Sequence, residues 1–425
     1  MTKGFHKPHV VAVPYLALGH SIPFLDLAMH LASHGLTVSY VTTPANVACL
    51  EQPIHEALNN GLDIRVVVLP SPVVEGLPEG CENTDLVPSE SRGLIRELMS
   101  KLEHPFHTWM ENQFHEETLE PPLCVIHDMC IGWAADTAQE YNIPSFLFNT
   151  CGAFGTILLR SISCSILQNC VSERRGGQRC AQLGSATTYQ IGQTRGRVFP
   201  PKFLGSAGNV SARGKMADIS EGELVSWLDS QCLRSVVYVS FGSQTFLSQQ
   251  QTNALARGLE GSEQPFVWAF KVSPNIETTN SDSADLASTY LPEGFLERTK
   301  KRGMVIWGGA PQLLILSHPS VGAFMSHCGW NSTLESITHG VPIVAWPMFG
   351  DQRFNSKLIT ELGIGIQFCQ DKDGLPDKER VKEVLRRVLI EDKGKEIGKR
   401  TVKLKEMAEK AVKQEGSSAA DLQAF

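Results

Sequence analysis

Residues 321–336 read VGAFMSHCGWNSTLES, a short apolar run that ends in His327-Cys328-Gly329 and continues into a helical pattern from Trp330. A strand, a glycine turn and a helix form the unit from which parallel α/β sheets are built. The first turn of such a helix carries unpaired backbone N–H groups and a partial positive charge, which favour a bound anion. The same pattern also fits a plain N-capped helix with a buried histidine. The stretch alone therefore leaves both a phosphate site and a structural turn open.

The strand-and-helix alternation extends in both directions from this point. Predicted strands are short, β-branched apolar runs, and they fall into two sets. The first set lies at 10–14, 37–41, 65–69, 123–126 and 146–148, and the second at 235–240, 265–270, 304–307, 321–325, 342–346 and 363–368. A helix is predicted over 22–35, directly after the first run.

The two sets predict an α/β protein with two Rossmann-like domains, whose parallel sheets face each other across a cleft. We assign residues 1–205 to the first domain, 206–222 to a linker and 223–405 to the second domain. Residues 406–425 are assigned to a C-terminal helix that is able to pack back on the first domain. Ligands of such sheets bind at the carboxyl ends of the strands.

Length and composition exclude several classes of protein. A chain of 425 residues, 42% hydrophobic and 20% charged, is long enough for two packed domains. Its formal charge of −7 gives no reason to expect a surface for nucleic acid. No apolar run approaches the roughly 20 residues of a membrane span, and residues 1–8 do not resemble a secretory signal. The eleven cysteines are scattered, so we expect a reduced, cytoplasmic protein, and a monomer.

A histidine follows the first predicted strand. His20 lies in the first strand-to-helix turn, at the carboxyl edge of the sheet, where it faces the second domain. A neutral imidazole is a suitable general base at cytoplasmic pH, although a lone histidine in a turn is ordinarily structural. Asp128 ends another strand, and an aspartate that accepts the imidazole N–H fixes its tautomer. The neighbouring His127 points to the opposite face of the strand, so Asp128 is preferred.

A longer constellation in the second half carries more specific information. In chain order it contains Ala310-Pro311-Gln312, Leu316-Ser317-His318-Pro319, Gly322, His327-Cys328-Gly329-Trp330-Asn331-Ser332, Glu335, Gly340-Val341-Pro342, Pro347 and Asp351-Gln352. This segment, from Gly309 to Gln352, resembles the signature box of plant family 1 UDP-glycosyltransferases. The sequences around His20 and Asp128 are similar to the family's catalytic segments. The resemblance implies a GT-B fold, with an acceptor-binding N-terminal domain and a C-terminal domain that binds the UDP-sugar.

The resemblance also implies roles on the donor side. Gln312 and Glu335 are expected to hold the nucleoside, while Asp351 and Gln352 hold sugar hydroxyls. A glutamine at position 352 is similar to glucose-using members. The set expected at the diphosphate and the helix start comprises Ser243, His327, Trp330, Asn331 and Ser332. UDP-glucose is then a co-substrate, the other substrate is a small-molecule acceptor, and neither a cofactor nor a metal is expected.

One position departs from the family pattern. Members usually carry a tryptophan directly before Ala310-Pro311-Gln312, where it stacks on the uracil, but this chain has Gly309 there. Trp307 lies two residues earlier. Either Trp307 replaces the missing ring, or the stacking is lost. An aromatic stack on a base contributes about 1–3 kcal/mol, so the two alternatives differ in donor affinity.

The implied reaction is an inverting single displacement with His20 as the base. The rival within this class is a metal-dependent transferase with a DxD motif, and Asp371-Lys372-Asp373 matches that pattern. It precedes a glycine in a polar stretch, so a surface loop is the preferred interpretation. A C-glycosyltransferase and a non-catalytic UDP-sugar or small-molecule binding protein remain alternatives.

The stretch 164–200 does not fit the family pattern. It contains five arginines with little apolar periodicity, and no final strand of the first domain is recognisable in it. A genuine lineage-specific loop and an out-of-frame segment are both compatible with the sequence.

Overall fold

The computed structural model describes residues 7–87, 91–115, 121–152, 156, 219–272, 283–368, 377–413, 415–418 and 420. The stretch 164–200, the DxD motif at 371–373 and most of the predicted linker therefore lie outside the described residues. In the N-terminal half the elements are β1 (His9–Val13), α1 (Leu18–Ser33), β2 (Thr37–Thr42), α2 (Pro44–Asn59), β3 (Ile64–Val68), α3 (Arg92–Lys101), α4 (Glu103–His115), β4 (Cys124–Asp128), α5 (Trp133–Glu140) and β5 (Ser145–Phe148).

These strands form one parallel sheet in the order β3-β2-β1-β4-β5. All five residues of β1 are buried, because helices cover both faces of the sheet. One core cluster joins the sheet to α1 and α2, and a second joins it to α3, α4 and α5. The strands that follow β1 in the chain are added first on one side of it (β2, β3) and then on the other (β4, β5), so the topological switch point lies between the carboxyl ends of β1 and β4.

The C-terminal half begins with α6 (Glu221–Asp229) and β6 (Val236–Ser240). It continues with α7 (Gln249–Ser262), β7 (Phe266–Phe270), α8 (Ser283–Tyr290), α9 (Phe295–Thr299), β8 (Gly303–Trp307), α10 (Gln312–Ser317), β9 (Val321–Ser326), α11 (Trp330–His339), β10 (Ile343–Ala345), α12 (Gln352–Glu361), β11 (Gly365–Gln367), α13 (Lys378–Leu389) and α14 (Asp392–Ala411). Its sheet has the order β11-β10-β9-β6-β7-β8, with every pair parallel. The switch point lies between β6 and β9.

The core of this half explains why its strands could be predicted from the sequence. Every residue of β6 and β9 is buried, and buried strands of parallel sheets are continuous apolar runs. Trp268, Trp346 and Phe324 are among the largest fully buried side chains. The eleven predicted strands are all present, and the predicted GT-B arrangement of two parallel α/β domains is confirmed.

Two predicted helix boundaries differ from the structure. Helix α1 begins at Leu18 rather than at residue 22, so Pro23 lies inside the helix and His20 in its first turn. The N-cap residue Ala17 offers no side-chain cap. Instead, the Leu18 N–H donates to Asp85 Oδ2 at 2.7 Å, a cap supplied from a distant loop. At the other end, the predicted boundary between 405 and 406 falls inside α14.

None of the helices within the described ranges is long and apolar enough to cross a membrane.

Candidate active site

The two switch points lie close together across the cleft. The Asn331 Nδ2 group, in the first turn of α11, donates to the Gly19 carbonyl oxygen of α1 at 2.9 Å. The indole of Trp330 lies against Gly152, where a methyl group would come within 2.9 Å of the ring. The start of the helix after β9 therefore sits directly opposite the turn that carries His20.

A second set of hydrogen bonds joins the two halves beside the first. The Arg92 guanidinium donates to the Gln244 carbonyl oxygen, and the Gln244 side-chain amide donates to Thr84 Oγ1 at 2.9 Å. Arg92 also stacks over the Phe349 ring, with 5.4 Å between the guanidinium carbon and the ring centroid. The cleft is narrow on this side, and the loop after β6 is tied to the N-terminal domain.

The imidazole of His20 is oriented by two neighbours. Its Nδ1 atom lies 2.8 Å from Asp128 Oδ2 and 2.9 Å from Thr150 Oγ1. A carboxylate only accepts hydrogen bonds, so Nδ1 carries the proton and Nε2 keeps its lone pair. The ring of Tyr15 packs edge-on at 5.4 Å between centroids, and the His20 side chain is 23% exposed. A partly exposed imidazole with Nε2 unprotonated is arranged to accept a proton.

The Asp128 carboxylate is fixed in position by burial and by a backbone hydrogen bond. Its side chain is fully buried, and its Oδ1 atom accepts the Cys130 backbone N–H at 2.9 Å. His127 was the alternative considered from the sequence. It donates from Nδ1 to the Asp128 carbonyl oxygen at 3.0 Å, and burial lowers its pKa. The structure thus pairs His20 with Asp128 and leaves His127 outside the pair.

His327 follows β9 at the second switch point, and its imidazole ring lies between the backbones of Gly242 and Gly329. A methyl group on Gly242 would come within 2.6 Å of His327 Nε2, and one on Gly329 within 2.5 Å. The next residue, Cys328, has a left-handed φ of 64°, which is costly for a side-chain-bearing residue and turns the chain sharply from β9 into α11. Burial lowers the pKa of His327 to about 4. The imidazole is therefore neutral near pH 7 and offers one N–H as a donor.

The residues expected at the nucleoside form one hydrogen-bonded cluster. The Gln312 amide nitrogen donates to Ser332 Oγ at 3.0 Å and to the Glu335 carboxylate. Its amide oxygen accepts from the Tyr238 hydroxyl at 3.2 Å. Ser332 and Glu335 are each 8% exposed. The cluster fixes two acceptor-bearing side chains, Ser332 and Glu335, in the first turns of α11.

The residues expected at the sugar lie between this helix and His20. Burial raises the pKa of Asp351, although its carboxylate accepts from Asn355 Nδ2 at 2.9 Å, which acts in the opposite direction. The Cys151 thiol, from the N-terminal domain, lies near this carboxylate. Gln352 accepts the N–H groups of Met348 and Phe349 through Oε1, at 2.9 and 3.0 Å. Its NH₂ group is left to bind a hydroxyl.

Two further residues, Ser243 and Trp307, were predicted to bind the UDP-sugar, and only Ser243 lies beside His327. Ser243 follows β6 directly after Gly242, so it stands in the loop that touches His327. Trp307 is only 6% exposed and packs on Phe270 with 5.0 Å between ring centroids. Its neighbour Ile306 points to the opposite cluster, which contains α10 and hence the Gln312 side of the sheet. Because alternate strand residues face opposite ways, the Trp307 ring lies on the face of the sheet opposite to α10, which favours the alternative in which the stack on the uracil is lost.

Sequence reasoning missed Thr150 and Asn355. Thr150 lies just beyond β5, at the same sheet edge as Asp128, and this position was the only available signal. Asn355 bonds both Asp351 and the Cys328 carbonyl oxygen, and nothing in its helical surroundings indicates that role. Within the described ranges, no three His, Cys, Asp or Glu side chains are grouped as metal ligands.

Comparison with known proteins agrees with this geometry. The profile of the family described as UDP-glucoronosyl and UDP-glucosyl transferase matches residues 181–396, and that of the glycosyltransferase N-terminal domain matches residues 7–182. The chain is 34% identical to a scopoletin glucosyltransferase from Nicotiana tabacum, over 96% of this chain and 95% of that protein. It is also 34% identical to UDP-glycosyltransferase 73C2 from Arabidopsis thaliana, over 98% and 95% of the two chains.

Solved structures give the same result. Arabidopsis thaliana UGT89C1 complexed with UDP-L-rhamnose superposes with a TM-score of 0.78 at 28% identity, covering 99% of this chain and 98% of that one. Glycyrrhiza uralensis UGT73P12, complexed with glycyrrhetinic acid 3-O-monoglucuronide, gives a TM-score of 0.76 at 26% identity over 99% and 95% of the chains. The chain therefore belongs to the plant UDP-glycosyltransferases, enzymes of the GT-B fold that act on small molecules.

Proposed function

We propose that this enzyme transfers glucose from UDP-glucose to a hydroxyl group of a small-molecule acceptor, with inversion at the anomeric carbon and with His20 as the general base. The observation that carries the proposal is the orientation of His20 by Asp128, with Nε2 left to accept a proton directly opposite the start of α11. The NH₂ group of Gln352 remains to bind a sugar hydroxyl, and the choice of glucose rests on the glutamine at this position, which is similar to glucose-using members of the family.

The reaction is a single displacement. His20 Nε2 removes the proton from the acceptor hydroxyl, and the oxygen attacks the anomeric carbon from the face opposite the diphosphate. The new C–O bond forms as the bond from the anomeric carbon to the diphosphate oxygen breaks, and UDP leaves with the electron pair. Asp128 stabilises the imidazolium that forms and holds the ring in one tautomer.

The departing UDP gains negative charge, and hydrogen-bond donors of the C-terminal domain are positioned to stabilise it. The unpaired N–H groups of the first turn of α11 and the neutral His327 are donors at that point. Gly242 and Gly329 allow the backbone to approach the ring of His327 closely. These donors supply the stabilisation that a metal ion provides in other transferases, so the proposed reaction runs without one.

The relatives indicate which class of acceptor to test first. The tobacco relative is named for the glucosylation of scopoletin, and we propose a phenolic hydroxyl as the first acceptor to test, followed by flavonoids, terpenoids and hormones. Purified protein is incubated with UDP-glucose and each acceptor, and both UDP release and the product are measured. The proton coupling at the anomeric position of the product reports inversion, and acid hydrolysis distinguishes an O-glycoside from a C-glycoside.

The matched variants are His20→Ala and His55→Ala. His55 lies in α2 with a side chain that is 66% exposed, so its replacement controls for the loss of a histidine. We expect His20→Ala to lose at least about 100-fold in kcat, the lower range for general-base catalysis, and His55→Ala to match the wild type. UDP binding without turnover on any acceptor would instead favour a binding protein, for which the glycine at 309 is the supporting feature.

A cytoplasmic location and a monomeric state stay predictions. A fluorescent fusion in plant cells tests the first, and light scattering on the purified protein tests the second.

A further inference from the structure

Helix α1 contains a proline in its interior, four positions after Gly19. Pro23 has no N–H group, so the Gly19 carbonyl oxygen lacks the donor that an α-helix supplies from the residue four positions on. That carbonyl accepts instead from Asn331 Nδ2, at 2.9 Å. The missing hydrogen bond of one domain is thus replaced by a side chain of the other.

The two partners of this bond stand at the functional ends of their helices. Gly19 directly precedes His20, and Asn331 lies in the first turn of α11. A carboxamide nitrogen carries two hydrogens. One binds Gly19, and the other remains for a phosphate oxygen. A single side chain is therefore able to contact both the donor diphosphate and the backbone that carries the base.

We propose that Pro23 is a positioning residue for the transfer reaction: by withholding its N–H, it keeps the Gly19 carbonyl available to Asn331 and so fixes His20 relative to the donor-binding helix. The inference rests on the proposed function of His20. It adds a residue that touches neither substrate and acts through the Gly19–Asn331 hydrogen bond.

The surroundings of Pro23 argue against a purely structural need for proline. Proline in a helix interior is destabilising by about 3 kcal/mol, so replacing Pro23 by alanine is not expected to destabilise α1. The first turn of α1 is already held by Asp85, which accepts the Leu18 N–H at 2.7 Å. An N–H at position 23 would therefore complete the helix without unwinding its start, and it would be a second donor to the Gly19 carbonyl, which would then share its lone pairs between the helix and Asn331.

The test compares Pro23→Ala with Pro53→Ala, which replaces the interior proline of α2 in the same domain. Both variants gain a helix N–H, and neither is expected to melt below the wild type. We expect Pro23→Ala alone to lose activity, by about two- to tenfold in kcat, the range of one ordinary hydrogen bond. The affinity for UDP is expected to stay within about twofold of the wild type, because the Asn331 side chain is retained and its second amide hydrogen still binds the phosphate.

A double-mutant cycle with Asn331→Ala identifies the route of the effect. If Pro23 acts through Asn331, Pro23→Ala has no further effect on kcat in the Asn331→Ala background. An equal loss in both backgrounds, a wild-type kcat in Pro23→Ala, or a variant that melts early or does not fold would each overturn the proposal. A wild type without transferase activity would instead refute the proposed function, so the two failures are distinguishable.

Discussion

Replacing Gly242 by alanine places a methyl group against the imidazole of His327. The added Cβ would lie 2.6 Å from Nε2 and 2.7 Å from Cε1. Unbonded heavy atoms prefer about 3.5–4.0 Å, so the ring has to move by about 1 Å or more. If His327 binds the diphosphate as proposed, a displacement of that size removes its hydrogen bond to the phosphate. Hydrogen bonds to charged groups contribute about 1.5–3 kcal/mol, so we expect UDP to bind about 10- to 100-fold more weakly.

Gly61→Ala is the matched control for this change. Gly61 and Gly242 both have a φ of +74°, but nothing lies within 4 Å of a Cβ on Gly61. Both variants therefore carry the same left-handed backbone cost of about 1–2 kcal/mol, and only one also displaces His327. Titration calorimetry with UDP, with thermal melts alongside, separates the two effects. Equal UDP affinity in both variants would refute the assignment of His327 to the diphosphate.

Four further outcomes are expected. Gly309→Trp restores a ring before Ala310, and it should tighten UDP-sugar binding by about 1–3 kcal/mol in calorimetry; unchanged affinity would mean that the uracil is held without a stack. Asp128→Asn keeps the shape but not the charge beside His20, so it should lower kcat by less than His20→Ala does, as steady-state kinetics would show. Turnover should survive a molar excess of EDTA, and a loss that Mg²⁺ or Mn²⁺ restores would revive the metal-dependent alternative. Because burial lowers the pKa of His327 from 6.5 to about 4, the unfolded chain takes up a proton that the folded protein resists. This contribution to stability is complete above pH 6.5 and is lost as the pH falls toward 4; denaturant unfolding of His327→Gln should show a shallower acid decline than the wild type.

The sequence was sufficient for the architecture because the central strands of both sheets are buried on both faces. Runs such as 236–240 and 321–326 are apolar at almost every position, and each became a strand within a residue or two of its predicted bounds. The start of α1 was missed for a different reason. Its cap comes from Asp85, a residue far along the chain, and no local pattern before Leu18 indicates a helix.

The pairing of His20 with Asp128 was predictable because both residues follow neighbouring strands of one sheet. The contact of Asn331 with Gly19 was not, since it depends on how two domains meet. The position of Trp307 close to Gly309 in the chain did not indicate which face of the sheet its ring occupies. Strand alternation turns its ring into the core against Phe270.

The most direct test of the central claim is a crystal structure with an unreactive fluorinated UDP-glucose and a phenolic acceptor bound together. The account predicts His20 Nε2 within about 3 Å of the acceptor oxygen, and that oxygen about 3–3.5 Å from the anomeric carbon. The diphosphate should lie on the first turn of α11, beside His327. An acceptor oxygen out of reach of His20, or a diphosphate bound away from α11, would contradict the account.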